Sequence, residues 1–134
     1  MNATGVVRQL IVDDSTANAL LSGRIYTGRV SVDTGYPCAV IQLASTRPNP
    51  TKTGASEVDF CRVQVDIYGN TAASADAVSS AIRAAIDYIS EQTVTVSGTS
   101  VHVGRIDFEN EYGDFEDAPG IYRKITEYMV YAKA

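Results

Sequence analysis

The feature that most constrains the fold is the stretch Asp59–Gly69, DFCRVQVDIYG, in which apolar and polar side chains alternate. Successive side chains of a strand point to opposite faces, so the alternation predicts a strand with one core face and one polar face. Cys61, Val63, Val65 and Ile67 form the core face, and Arg62, Gln64, Asp66 and Tyr68 form the polar face. The sequence therefore predicts a sheet with one buried side, and raises the question of what the polar row does.

Length and composition predict one domain that covers residues 1–134. The chain has 134 residues, of which 45% are hydrophobic and 20% charged, and this balance is usual for a globular domain. No apolar run approaches the ~18 residues that span a membrane, and the N-terminus lacks the pattern of a signal peptide. We therefore expect a protein that is made and kept in a cytoplasm and has no membrane partner.

The order of patterns along the chain predicts an α+β fold with a mostly antiparallel sheet. Apolar spacing between Gly5 and Leu21 favours two short helices or one broken one, with Asp14 as a start signal. Residues 74–92 have the spacing of an amphipathic helix that packs on the sheet, with Thr71 or Ser74 as its cap. The remaining segments read as strands without a βαβ rhythm.

Two segments are predicted to be loops that contact partners. Residues 46–57, TRPNPTKTGASE, are rich in Pro, Thr and Gly, which favours a mobile loop with Arg47 and Lys52 as its cations. Residues 107–119 favour an acidic loop, since positions 107–117 contain six acidic side chains and no basic one. The acidic candidates are Asp107, Glu109, Glu111, Asp114, Glu116 and Asp117.

The acidic segment also invites a calcium interpretation, because Asp107, Glu109 and Glu111 are spaced by two residues. The match to a calcium-binding loop fails at its sixth position, which is Tyr112, and at its twelfth, which is Ala118. A solvated or partner-facing segment is favoured, and no metal is expected. A net charge of −5 without a basic cluster argues against nucleic-acid binding.

The two cysteines are predicted to be free thiols. If the strand around Cys38 pairs with the Cys61 strand as a hairpin, Ala39, Ile41 and Leu43 share the core face with Cys61. Cys38 then lies on the opposite face and cannot reach Cys61. A nucleophilic pair of a cysteine with His102 is the enzymatic alternative, but a small core cysteine is the simpler interpretation. No phosphate loop, dinucleotide fingerprint or GxSxG motif is present, so no cofactor or enzymatic activity is expected.

The order of four motifs resembles the tail completion family of long-tailed bacteriophages, also called tail terminators. The motifs are GRIY at 23–26, YPCAVIQLASTRP at 36–48, VQVDIYG at 63–69 before an Ala-rich helix, and GIYRKITEYMVY at 120–131. The resemblance covers about residues 5–132. It implies a structural subunit of a hexameric ring that ends the tail tube and joins it to the head, with the tube protein and a head completion or connector protein as partners. It implies no catalytic residues.

Two alternatives remain beside the terminator. Another neck protein, such as a head completion protein, or a tube subunit that stacks without limit would have similar subunits, and electron microscopy separates single rings from filaments. A small hydrolase or ligand-binding module is the third class, although no pocket residue suggests it. In a ring, we expect Arg62, Gln64, Asp66 and Tyr68 to meet the neighbouring subunit, whereas a solvated face, or one packed under the first helix, is the simpler alternative.

Overall fold

The computed structural model describes residues 2–28, 35–51 and 54–133, with the backbone alone at 48–51, 54–57, 114, 115 and 117. Three helices and six strands follow one another within these described residues. The helices are α1 (Ala3–Asp13), α2 (Ser15–Leu21) and α3 (Ala72–Ile86). The strands are β1 (Ile25–Thr27), β2 (Cys38–Thr51), β3 (Gly54–Gly69), β4 (Ser90–Val96), β5 (Thr99–Ala118) and β6 (Ile121–Lys133).

The strands form one sheet in the order β1-β2-β3-β6-β5-β4. The short β1 runs parallel to β2, and every other neighbouring pair is antiparallel. The predicted α+β class with a mostly antiparallel sheet is confirmed. No helix within the described part of the chain combines the length and apolar character that a membrane span requires.

The helices cover the sheet face that carries Cys61, Val63, Val65 and Ile67. Each of these side chains is buried in one core with apolar residues of all three helices. The core is continued on β6 by Tyr128, whose edge meets the ring of Phe108 with centroids 5.6 Å apart. The core face that the sequence predicted for residues 59–69 is therefore confirmed.

Each helix begins at a side-chain cap, as the sequence suggests. The side chains of Asn2, Asp14 and Thr71 accept hydrogen bonds from the backbone N–H groups of Gly5, Ala17 and Ser74, respectively. The predicted end of the third helix at Gln92 is wrong, because Asp87 is already extended and Tyr88 has φ +64°. Ile89 still packs against the core, but it does so from the turn that leads into β4.

Both predicted loops are wrong, since most of their residues lie in strands. Residues 46–51 and 54–57 extend β2 and β3, and pairs such as Arg47 with Phe60 continue to Thr51 with Gly54. Proline has no backbone N–H group to donate. It is tolerated here because, within the described residues, no strand lies beside the outer edge of β2 to accept such a hydrogen bond. Residues 52 and 53 lie outside the described residues, and with them the candidate Lys52.

The acidic segment belongs to β5, whose long pairing with β6 ends at Ala118 opposite Ile121. Four register shifts interrupt this pairing, so the strand accommodates residues that regular alternation does not. The acidic composition suggested a solvated loop because carboxylates need to be hydrated. Side chains on a strand with one uncovered edge can be hydrated as well. The predicted loop at 107–119 is thus a bulged strand followed by a turn.

The predicted cysteine register is confirmed. Ala39, Ile41 and Leu43 pair with Ile67, Val65 and Val63, which places Cys38 and Cys61 on opposite faces, and both thiols are free and buried. Leu43 departs from the expectation, because 49% of its surface is exposed although it lies on the core side. Burial raises the pKa of the Cys61 thiol, which keeps it protonated and unreactive.

We expect the substitution Cys61→Ala to lower the free energy of unfolding by about 1 kcal/mol, because it leaves a small void in a closed core. Urea denaturation measures the change. Ser80→Ala on the exposed side of α3 is the control, and its effect should stay within about 0.5 kcal/mol. Equal effects of the two substitutions would contradict this placement of Cys61.

Candidate subunit interface on the open face of the sheet

The sheet face opposite the helices is called the open face, and it carries Arg62, Gln64, Asp66 and Tyr68. All three helices contribute to the core on the other side, and among the described residues no element packs on the open face. Polar side chains dominate its centre. The sequence predicted this row from β3 alone, and the structure brings it together with side chains of β2, β5 and β6.

Asp66 is the centre of the open face and is fully buried. Its cross-strand neighbours are Val40 on β2 and Ile125 on β6, which are also buried and shield its carboxylate from water. A buried carboxylate is costly unless it accepts hydrogen bonds. The surroundings of Asp66 must therefore supply donors.

Three side chains donate hydrogen bonds to the Asp66 carboxylate. Gln64 Nε2 donates to Oδ1 at 2.8 Å, while Gln42 Nε2 and an Arg123 guanidinium nitrogen donate to Oδ2 at 3.2 and 2.8 Å. Arg123 also balances the negative charge, and 26% of its side chain remains exposed. The carboxylate thus connects three strands on the open face.

A second pair lies one row further along the strands. An Arg62 guanidinium nitrogen donates to Glu127 Oε2 at 3.0 Å, and the Tyr112 hydroxyl donates to Glu127 Oε1 at 2.8 Å. The Arg62 and Glu127 side chains are 37% and 15% exposed. Glu127 therefore fixes Tyr112 on β5, and Arg62 pairs with Glu127 rather than with Asp66.

An aromatic row crosses the same face near the start of β3. The rings of Phe60 and Tyr131 meet edge to face with centroids 4.7 Å apart. The guanidinium of Arg105 lies 4.4 Å from the Tyr131 centroid, and that of Arg47 lies 6.0 Å from the Phe60 centroid. Arg47, a predicted contact residue, is thus an exposed member of the open face at the β2 edge of the sheet.

The acidic candidates do not form one surface. Asp107 pairs with Arg105 at 3.0 Å, whereas Glu111 accepts a hydrogen bond from Ser79 at 2.7 Å and lies 3.5 Å from Lys124 on the helix side. Glu116 accepts from the backbone of Gly120 at 3.2 Å, and Glu109 is exposed. For Asp114 and Asp117 the structure gives the backbone alone.

Metal-binding and catalytic geometry does not emerge from these candidates. Within residues 2–28, 35–51 and 54–133, no three His, Cys, Asp or Glu side chains group as metal ligands do. His102 contacts Glu91 at 2.8 Å on the exposed hairpin of β4 and β5, and neither cysteine takes part in that contact. The open face is built from ion pairs and amides that hold one another.

Sequence reasoning missed half of this network. Gln42, Tyr112, Arg123 and Glu127 are as important to the geometry as the predicted row on β3. The alternation of the final strand, GIYRKITEYMVYAK, contained a signal for two of them, since Arg123, Ile125 and Glu127 have one parity and Lys124, Thr126 and Tyr128 the other. Pairing that parity with β3 would have predicted Arg123 and Glu127 on the open face.

A family model for the tail completion protein gp17 matches residues 5–130. The chain belongs to this family of tail completion proteins. It is therefore a structural protein of the virion, located in the tail or neck of a phage-like particle. No curated protein matches the chain in sequence.

The fold is similar to that of a chain in a solved structure. A chain in the structure "Virion of native gene transfer agent (GTA) particle" is similar with a TM-score of 0.71 and 15% sequence identity. The match covers 98% of this chain and 95% of the other. The whole domain, rather than one motif, therefore has the architecture of a chain in that particle.

We expect the substitution Asp66→Asn to lower the free energy of unfolding by about 2 kcal/mol, because it removes the charge that Arg123 and two amides stabilise. Denaturant titration at neutral pH measures this. Asp107→Asn is the matched control. Asp107 pairs with Arg105, but the two side chains are 38% and 58% exposed, so the pair contributes little to stability. A loss at Asp66 no larger than at Asp107 would show that the buried carboxylate is not an anchor.

Proposed function

We propose that this tail completion protein is a terminator, which assembles into a hexameric ring at the end of the tail tube and joins the tube to the head connector. The ring stops the addition of further tube subunits and presents a new surface to the head. Two findings support this proposal: the family match over most of the chain, and the fold similarity to a chain of a phage-like virion. The chain's action is assembly rather than catalysis.

The observation that carries the proposal is the organised open face. Water satisfies polar side chains on an ordinary solvated face without fixed partners, and surface ion pairs contribute little stability. Here a fully buried Asp66 and the bridged Glu127 hold long side chains in one geometry across four strands. Fixed polar groups of this kind provide orientation and register in protein contacts.

We assign the four predicted residues two roles in this contact. Arg62 and Tyr68, which are half-buried, present surface to the neighbouring subunit, while Asp66 and Gln64 hold the side chains around them. Contacts between identical subunits that are not self-complementary close into a ring when the rotation closes. Closure of the ring requires side chains held in fixed positions at the contact. A small change in the angle between neighbouring subunits would produce an open helical filament instead of a ring.

We expect Arg62→Glu to weaken ring formation and also to lower the unfolding midpoint of the monomer, because it sets a second carboxylate against that of Glu127. The exchange Arg62→Glu with Glu127→Arg restores the internal pair and serves as the control for folding. It should recover the unfolding midpoint of the monomer but not the ring, since position 62 still presents a carboxylate instead of a guanidinium to the neighbouring subunit. Thermal unfolding and negative-stain electron microscopy, with tails that lack the protein as templates, measure the two effects.

Full ring formation by Arg62→Glu would contradict the assignment of the open face to the contact. Single rings formed by the unaltered chain favour a terminator, and filaments would instead show a tube subunit.

A phage that lacks this chain should make tail tubes of excessive and variable length, because nothing stops tube growth, and its filled heads should remain without tails. Electron microscopy of the lysate measures tube length and attachment. A plasmid copy of the unaltered chain should restore normal particles. Tails of normal length that join heads in its absence would exclude the terminator role.

A further inference from the structure

The sheet has two strand edges that its own strands cover only in part. β1 pairs with β2 only at 39–41, so β2 has an uncovered outer edge from Gln42 onward within the described residues. β4 pairs with β5 only between Thr99 and Arg105. The turn after α3 covers Ile106 and Phe108, and the described residues leave the outer edge of β5 uncovered from Glu109 to Ala118.

We propose that the uncovered edge of β5 in one subunit pairs with the uncovered edge of β2 in the next, so that the sheets of the ring become continuous. The partner is therefore a second copy of this chain, and the inference rests on the proposed ring. In this arrangement the boundary lies beside β2, and Arg62 and Tyr68 on the adjacent β3 face it as side chains of the open face rather than by strand pairing. Uncovered edges expose N–H and C=O groups that readily accept another strand, and proteins rarely leave them without protection.

The charges of the two edges are complementary. The β5 edge from Glu109 to Ala118 contains five acidic residues and no basic one, whereas the described part of the β2 edge from Gln42 to Thr51 contains Arg47 and no acidic residue. Pairing of two β5 edges would oppose the acidic runs directly. Pairing of two β2 edges is limited by Pro48 and Pro50, which have no N–H. The unlike pairing is the favoured one.

The strand directions also agree. β2, β3, β6 and β5 are consecutive and antiparallel, so β5 runs opposite to β2 within one subunit. Rotation about a ring axis preserves the direction of each strand relative to that axis. β5 therefore meets the next β2 in the antiparallel sense, which continues the pattern of the sheet.

The positions of the two edges predict a tilt. Positions along the strands can be compared by following the pairing from β2 to β3 and from β3 to β6. The uncovered part of β2 that precedes Pro48, Gln42–Arg47, then lies beside residues 127–131 of β6. The uncovered part of β5, from Asn110 to Ala118, lies level with residues 127–121 of β6. Their midpoints fall at residues 129 and 124 of β6, which is a displacement of about five residues, or about 17 Å along the strands.

Four strand spacings per subunit give about 19 Å across the sheet. A displacement of about 17 Å over that width corresponds to strands tilted by about 40° from the ring axis. Strands in closed barrels tilt by about 35–45°. The diagonal placement of the uncovered edges is therefore the one that a closed, continuous sheet needs.

A displacement of six residues, an even value next to five that keeps the open faces of both subunits on the same side, brings Tyr112 of one subunit beside Arg47 of the next. Both side chains lie on the open face, and Tyr112 is 43% exposed. Within one subunit they lie on strands separated by β3 and β6 and at different levels of the sheet, too far apart to be linked directly. A covalent link between these two positions can form only between subunits.

The test is the double variant Arg47→Cys with Tyr112→Cys, oxidised or treated with a short bismaleimide under conditions in which the unaltered chain forms rings. We expect a ladder of linked subunits up to the closed ring on a non-reducing gel. Each single variant is a control and should give no ladder, and the buried Cys38 and Cys61 should not contribute. Electron microscopy of the same samples records ring formation.

The outcomes separate the edge contact from the function. Rings without a ladder would overturn the edge pairing and leave the terminator proposal intact. Dimers linked by Tyr112→Cys alone would also overturn it, because they indicate pairing of two β5 edges. A chain that forms no ring even on tail templates would exclude the proposed function itself.

Discussion

The unbroken pairing of β3 with β6 is the constraint on which the rest of the structure depends. Every residue from Val58 to Gly69 has a partner on β6, without the register shifts that interrupt the pairing of β2 with β3 and of β5 with β6. This ladder fixes the parity of both strands at once. Cys61, Val63 and Val65 then face the helices, and Arg62, Gln64 and Asp66 must face away from them.

The two faces of the sheet at this central ladder have different structural roles. The helix side excludes water and provides most of the stability, as expected for a face whose apolar side chains are almost all fully buried. No helix of the described residues covers the open side, where ion pairs, amides and an aromatic row hold the side chains instead. Asp66 shows the consequence, since a carboxylate with no exposed surface is retained on a face that nothing else in the described chain covers.

Much of the fold was predictable because local patterns and tertiary structure agree. The alternation at 59–69, the cap at Thr71 and the cysteine register are each determined by short-range rules that the structure obeys. The prediction of two loops was wrong because Pro, Gly and acidic residues indicate contact with water. An uncovered strand edge provides that contact as well as a loop does. The ends of α3 and the pair of Arg62 with Glu127 depend on contacts between distant segments, which no single segment contains.

The sequence predicted the candidate site as a row of polar side chains on β3. The structure shows a hydrogen-bonded network that also includes side chains of β2, β5 and β6. A single strand shows which side chains share a face, but it does not show what lies beside them. Arg123 and Glu127 come from β6, which the chain reaches only after α3, β4 and β5, and Gln42 comes from the preceding strand β2. The role of Asp66 as a buried anchor, rather than as an exposed contact, follows from Val40 and Ile125 on either side of it.

A reconstruction of the virion neck by electron cryomicroscopy tests the central claim most directly. We expect a closed ring of this chain, one subunit thick, between the tail tube and the head connector, with side chains of the open face at each subunit boundary. A chain that stacks along the tail would contradict it. So would a ring whose boundaries are formed by the helices while the open face meets only solvent.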